Sequence, residues 1–102
     1  MTMAAKKKLR AVLVRCYSGV FFGYLAARRG SEIDLVKARH VWSWTSQGLP
    51  RKALTVDDLA IIGAGTGTRI SGAVDQTLLD VKQIVEMSSD AVRVFEGLPC
   101  LT

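Results

Sequence analysis

From Leu9 onward, apolar residues come in short runs separated by turn-forming residues, and the spacing within the runs favours strands over helices. LRAVLVRCY, residues 9–17, is rich enough in β-branched and apolar side chains for a first strand. Ser18 and Gly19 signal a turn, after which VFFGYLAARRG predicts a second strand ending at Gly30. Within it Phe22 and Tyr24 alternate toward one face while Phe21 opposes them. The third segment, EIDLVKARHVWSW, carries two phases: Ile33 and Leu35 share one face, whereas Val36, Ala38, His40, Trp42 and Trp44 share the other. One straight strand cannot present both sets, so a bulge or bend is expected near Val36. The three segments together predict an antiparallel meander.

The pattern changes after Trp44. Gly48 and Pro50 interrupt the strand, and Thr55 with Asp58 three residues later resembles a helix-capping box, with Asp in the place usually held by Glu. Leu54, Leu59 and Ile62 supply a partial apolar stripe, which predicts a short helix over 55–62 ended by Gly63. TRISGAV and TLLDVKQIVEM predict two further strands. SSDAVRVFEG, with Ser88 or Ser89 as cap, predicts a final short helix stopped by Gly97 and Pro99. The expected fold class is α+β: a small, mainly antiparallel bent sheet or partly open barrel with two short helices. Residues 1–8, MTMAAKKK, lack periodicity and are expected to form a flexible basic arm, with 9–102 a single compact domain.

Composition narrows the class of protein. A chain of 102 residues, 49% apolar, suits one hydrophobic core. Its longest apolar runs fall far short of the roughly 20 residues of a membrane helix, and no signal peptide is apparent, so no membrane partner is expected. Cys16 and Cys100 do not make a disulfide framework. Residues 1–52 hold eleven Lys or Arg against two acids (+9), and residues 53–102 hold three against seven (−4). Such asymmetry suits a nucleic-acid surface, or a basic face that meets an acidic face on a neighbouring copy.

The glycine-rich stretch IIGAGTGTRISG, residues 61–72, invites comparison with a nucleotide-binding turn. Gly63, Gly65 and Gly67 have the wrong spacing, Thr68 occupies the third required position, and a strand rather than a helix is expected to follow. A mobile or partner-contacting connection is expected there instead, and no cofactor is assigned. No catalytic residue or metal ligand is assigned either: Cys16, His40 and Cys100 lack ligand spacing, and Asp57 and Asp58 suit the first turn of a helix. Tyr17, Phe21, Phe22, Trp42 and Trp44 are the candidates for self-association or partner contact, the tryptophans serving as core or interface rather than as a base-stacking platform. Lys6, Lys7, Lys8, Arg28, Arg29, Arg39, Arg51 and Lys52 are the candidate nucleic-acid contacts.

Three short motifs add a resemblance. Arg15-x-Tyr17-Ser18, Ala38-Arg39-x-x-Trp42-x-Trp44 and Glu96-Gly97-x-Pro99 are similar to motifs of a family of small uncharacterised phage and prophage proteins. The hairpin with Gly19, Gly23, Gly30 and Leu35 is similar, more distantly, to the first motif of Sm-like ring proteins, whose bent sheets join edge to edge. The first resemblance implies a viral protein, and with the cysteine count and the lack of an apparent signal peptide the expected location is the host cytoplasm or the virion. The second implies self-assembly. The expected function is therefore that of a non-enzymatic oligomeric phage protein, a virion component or assembly factor with a phage structural or host protein as partner. One alternative is nonspecific nucleic-acid binding through the basic half. Another is a counter-defence protein that captures a host protein or a nucleotide signal in a pocket between subunits.

Overall fold

The computed structural model describes residues 9–101, so the expected arm at 1–8, with Lys6, Lys7 and Lys8, lies outside the described residues. Strands β1 (Arg10–Cys16), β2 (Gly19–Arg29) and β3 (Glu32–Ser43) form the expected antiparallel meander. Helix α1 (Val56–Ile62) follows, then β4 (Arg69–Ile70), β5 (Val74–Leu78), β6 (Val81–Glu86) and helix α2 (Ser89–Gly97). The sheet runs β4-β3-β2-β1-β6, with β5 also paired to β3, and every pairing between strands is antiparallel. The fold is thus a small α+β structure whose mainly antiparallel sheet does not fully close.

Two departures from the expected strands set the topology. TLLDVKQIVEM is not one strand: it breaks at Leu79 and Asp80, where Asp80 takes a left-handed conformation (φ 57°) that Asp tolerates better than most side chains. Its first part belongs to β5 beside β3, whereas its second part, β6, pairs with β1 at the opposite margin of the sheet. TRISGAV likewise divides between β4 and the start of β5, which lie in tandem along the same side of β3. The expected bulge near Val36 is present. Lys37 has φ 55°, the register of β3 slips beside it on both neighbours, and the Asp75 carboxylate accepts the Lys37 N–H at 2.8 Å.

Bending gives the sheet two packed faces. Val12, Val14, Phe21, Ile33, Leu35 and Leu78 are among the residues buried on one, where the β2–β3 hairpin folds over and Ser31 O accepts the Val81 N–H at 2.8 Å. On the other, α1 and α2 cover Leu13, Phe22, Val41 and Ile70 with Leu59 and Phe95. β1 is buried on both sides: Val12, Leu13 and Val14 are fully enclosed. Each such aliphatic side chain contributes about 1.5–3 kcal/mol by leaving water.

Local chemistry fixes the helices. Thr55 Oγ1 accepts from Asp58 N, and the Asp58 carboxylate accepts from Thr55 N, completing the capping box. The same carboxylate accepts from Arg51 Nη1 (2.9 Å) and Leu54 N, and these bonds, Arg51 foremost, hold it below the usual carboxylate range. Ser88 caps α2 by accepting from Ala91 N, and its own N–H and hydroxyl donate to Ala60 O and Ile61 O, locking the helices together.

The two halves of the chain do not form separate faces. β5 and β6, from the acidic half, flank β3 and β1, from the basic half, and the ion pairs Arg10–Glu86 (2.6 Å) and Arg51–Asp58 (2.9 Å) join the halves within one fold. The opposition of charge seen along the sequence is partly absorbed internally.

Candidate functional site

The glycine-rich connection, expected to be mobile or to contact a partner, is packed against its own fold at Gly63, Gly65 and Thr68 and exposed at Thr66 and Gly67. Gly63 ends α1 with φ 88°, and an added Cβ would lie 2.8 Å from Val94. Gly65 N donates to Thr45 O (2.8 Å) and Thr66 N to Gln47 O (3.1 Å), so amides that a phosphate nest would present outward are turned to the preceding loop. Thr68 is buried and its hydroxyl donates to Gly65 O at 2.7 Å. An added Cβ at Gly65 would overlap the backbone N and O of Gln47, which cannot swing away as a side chain could. Gly65→Ala is expected to cost about 1–3 kcal/mol in urea denaturation, whereas Gly72→Ala, where an added carbon meets nothing within 4 Å, serves as the near-neutral control.

Arg39 is the most constrained of the candidate basic residues. On the helix-covered face of β3, with Val41, it is 9% exposed. Its Nε donates to Ser71 O (2.8 Å), Nη1 to Phe95 O (2.9 Å) and Nη2 to Leu98 O (2.9 Å). The guanidinium therefore clasps the end of α2, where Phe95 O accepts also from the cap N–H of Leu98 and the helix dipole is negative, to the break between β4 and β5. It is unavailable to phosphate in this fold. Arg29 is paired with Glu32 (2.6 Å) and Asp34 (3.0 Å), and Arg51 with Asp58. Arg28 and Lys52 are exposed without a carboxylate partner among the described residues.

Beside this clasp lies an open cleft of about 690 Å³, lined by Phe22, Tyr24, Val36, Lys37, Glu96 and Leu98 among others. The Tyr24 hydroxyl donates to the Glu96 carboxylate across its mouth. Burial first, then the hydrogen bond and negative charge of Glu96, raise the Tyr24 phenol from the ordinary 10.0 to about 12. The fold thus favours the neutral phenol, a contribution fully present below pH 10 and lost as the pH rises through about 12. Glu96→Gln is expected to lower the Tyr24 titration only part of the way, because burial, the largest single cause, remains. Phenolate absorbance in an alkaline titration checks this, with Tyr24→Phe assigning the signal.

The aromatic candidates separate into three environments. Phe21 and Phe22 point to opposite faces and are buried in the two cores, so neither offers a self-association surface: consecutive strand residues face opposite ways, and both faces of β2 are covered there. Trp44 also leaves the expected face. The register of β3 slips between Val41 and Ser43, and the Trp44 indole packs half-buried against the helix side, donating to Ala53 O at 2.8 Å. Trp42 is 55% exposed and donates to His40 Nδ1 (3.0 Å), while His40 stacks on Phe21 at 4.6 Å. Gly19 gives the imidazole room, since an added Cβ would lie 2.7 Å from His40 Nε2. Tyr17, in the β1–β2 turn, is 93% exposed. The exposed aromatic surface thus reduces to Tyr17 and Trp42.

Among the described residues no three His, Cys, Asp or Glu side chains cluster as a metal site, and no helix is long and apolar enough to cross a membrane. Cys16 is buried and Cys100 exposed, both as free thiols. The features that sequence spacing missed are the Arg39 clasp and the open margins of the sheet. Arg39's parity with Val41 is a signal for the clasp; the margins depend on which distant strands pair.

Fold and site together define a small α+β protein, its bent sheet clasped to a terminal helix by Arg39 and left open along β5 and β6. The chain belongs to the family described as Domain of unknown function (DUF6948), whose model matches residues 9–95. That span contains the Arg15-x-Tyr17-Ser18 and Ala38–Trp44 motifs and stops just before Glu96-Gly97-x-Pro99. No curated protein and no solved structure matches the chain.

Proposed function

We propose that this chain is a non-enzymatic subunit of a small homo-oligomer, acting as a phage virion component or assembly factor. The observation that carries this reading is the unclosed sheet. Among the described residues β5 pairs with no strand but β3 and β6 with none but β1, so each keeps a margin of backbone donors and acceptors that a further strand would satisfy, the Val81 N–H already taken by Ser31 O excepted. Tyr17 and Trp42 add exposed aromatic area of the kind enriched at interfaces. The motif resemblance to phage and prophage proteins supplies the biological setting. The nucleic-acid alternative has less support, because Arg39 is clasped internally and Arg29 and Arg51 are already ion-paired.

Native mass spectrometry of the purified protein, over a range of concentration and salt, tests the proposal. The expected result is a discrete bare oligomer that persists in salt. A monomer at every concentration overturns it. Retained nucleic acid released steeply by salt would favour the basic-surface alternative, and a stoichiometric nucleotide would favour the signal-capturing one.

A further inference from the structure

We propose that two copies of this chain join through β6, pairing antiparallel about a two-fold axis at Ile84; this rests on the self-assembly reading above and assigns it a surface. β6 comprises Val81, Lys82, Gln83, Ile84, Val85 and Glu86, and among the described residues only β1 pairs with it. In an antiparallel ladder, residues whose backbone groups point toward the partner alternate with residues whose groups point away. When a regular strand pairs with its own copy, facing residues must therefore both be even-numbered or both odd-numbered; β6 is regular over Gln83–Glu86 and bulged beside Lys82, where its register with β1 slips, and few registers remain to compare.

Charge distinguishes them. With the axis at Ile84, Lys82 faces Glu86 of the second copy, Glu86 faces its Lys82, and Gln83 faces Val85. With the axis at Gln83, Asp80 would face Glu86, a like-charge pair, and Lys82 would face Ile84. With the axis at Val85, Glu86 would face Ile84 and Lys82 would face Ser88. Of these three registers, only that at Ile84 sets opposite charges against each other, and directly opposed residues are those whose interaction most affects strand pairing.

The side chains are free to do this. Lys82 and Glu86 are exposed, and Lys82 has no ion-pair partner among the described residues. Glu86 meets Arg10 at 2.6 Å, but both side chains are more than half exposed (63% and 68%), so that pair is weak enough to be shared. A lone lysine on a margin strand discourages indiscriminate pairing. With Glu86 four residues further on, the same lysine admits a copy of its own strand in one register. β5 lacks this property: Asp75 is its one charged residue, and its carboxylate already accepts the Lys37 N–H. Apolar area lies close to the β6 ladder as well. Ile61 is 56% exposed and its carbonyl accepts from Ser88, two residues past the end of β6.

Charge inversion tests the register. Lys82→Glu places Glu against Glu in both pairs, and Glu86→Lys places Lys against Lys, so each variant alone should dimerise roughly tenfold or more weakly than the wild type. An equal mixture of the two variants should regain the affinity, because one chain then offers Glu at both positions and the other Lys at both. The double variant K82E/E86K should pair with itself as the wild type does. Sedimentation velocity reads the affinities, native mass spectrometry the composition of the mixed dimer, and circular dichroism that each variant is folded. Single variants that associate like an oligomeric wild type, or that weaken without rescue in the mixture and the double variant, overturn the β6 interface and leave the self-assembly reading standing. A wild type that is monomeric throughout removes both.

Discussion

Replacing Arg39 with methionine is expected to lower stability by about 3–5 kcal/mol, read as a fall in the urea midpoint. Methionine approximates the volume of the side chain but donates nothing, so Ser71 O, Phe95 O and Leu98 O each lose a charge-assisted bond of 2.8–2.9 Å. The group is 9% exposed, which restricts the water that could replace it. Its three acceptors are carbonyls with no carboxylate among them, so the positive charge is balanced by dipoles, two of them at the negative end of α2. Arg39→Lys should recover only part of the loss, because a single ammonium cannot span three separated acceptors as the planar guanidinium does. A loss below about 1 kcal/mol in the methionine variant would show that water substitutes for the clasp and that α2 is held by packing alone.

Phe95→Ala is expected to cost about as much, roughly 3–5 kcal/mol. The ring is fully buried and stacked on Phe22, with centroids 5.2 Å apart and planes 21° apart. Alanine would remove that contact and leave a cavity between α2 and β2 that the surrounding strands can only partly fill. Since Phe95 O also accepts from Arg39, the two substitutions act on one attachment. Their double mutant should lose less than the sum of the single losses, once α2 has already been released. Full additivity in a double-mutant cycle would mean that ring and clasp hold the helix independently. For a domain of ordinary stability, about 5–15 kcal/mol, either substitution approaches the limit of folding.

The features legible in the sequence are those determined locally. Thr55 and Asp58 close their capping box within one turn, and Gly63 ends the same helix. The clash of phase between Ile33–Leu35 and Val36–Trp44 required an irregularity, and Lys37 supplies it. What escaped the sequence depends on distant partners. Alternation continues through Leu79 and Asp80 without glycine or proline, so nothing local shows that β5 and β6 part there to opposite margins. Gly65 marks a close approach of something to the backbone, but a phosphate and the Gln47 peptide leave the same mark in the sequence. Arg39 reads as one more surface cation until its parity with Val41 is set beside the helix that covers that face. Trp42 and Trp44 share a parity that the slip at the end of β3 cancels.

The placement of β6 beside β1 also has a consequence in time. Val12 pairs with Glu86, so one side of the chain's most apolar strand must wait for residues made roughly seventy positions later, about 4–15 seconds at ordinary rates of synthesis. During that interval the β1–β2 hairpin can form while Val12, Leu13 and Val14 still lack the neighbours that will enclose them. The nascent chain therefore passes through a stage in which its future interior is adhesive. Crowded synthesis on one message would expose that stage to its own copies before any finished chain exists.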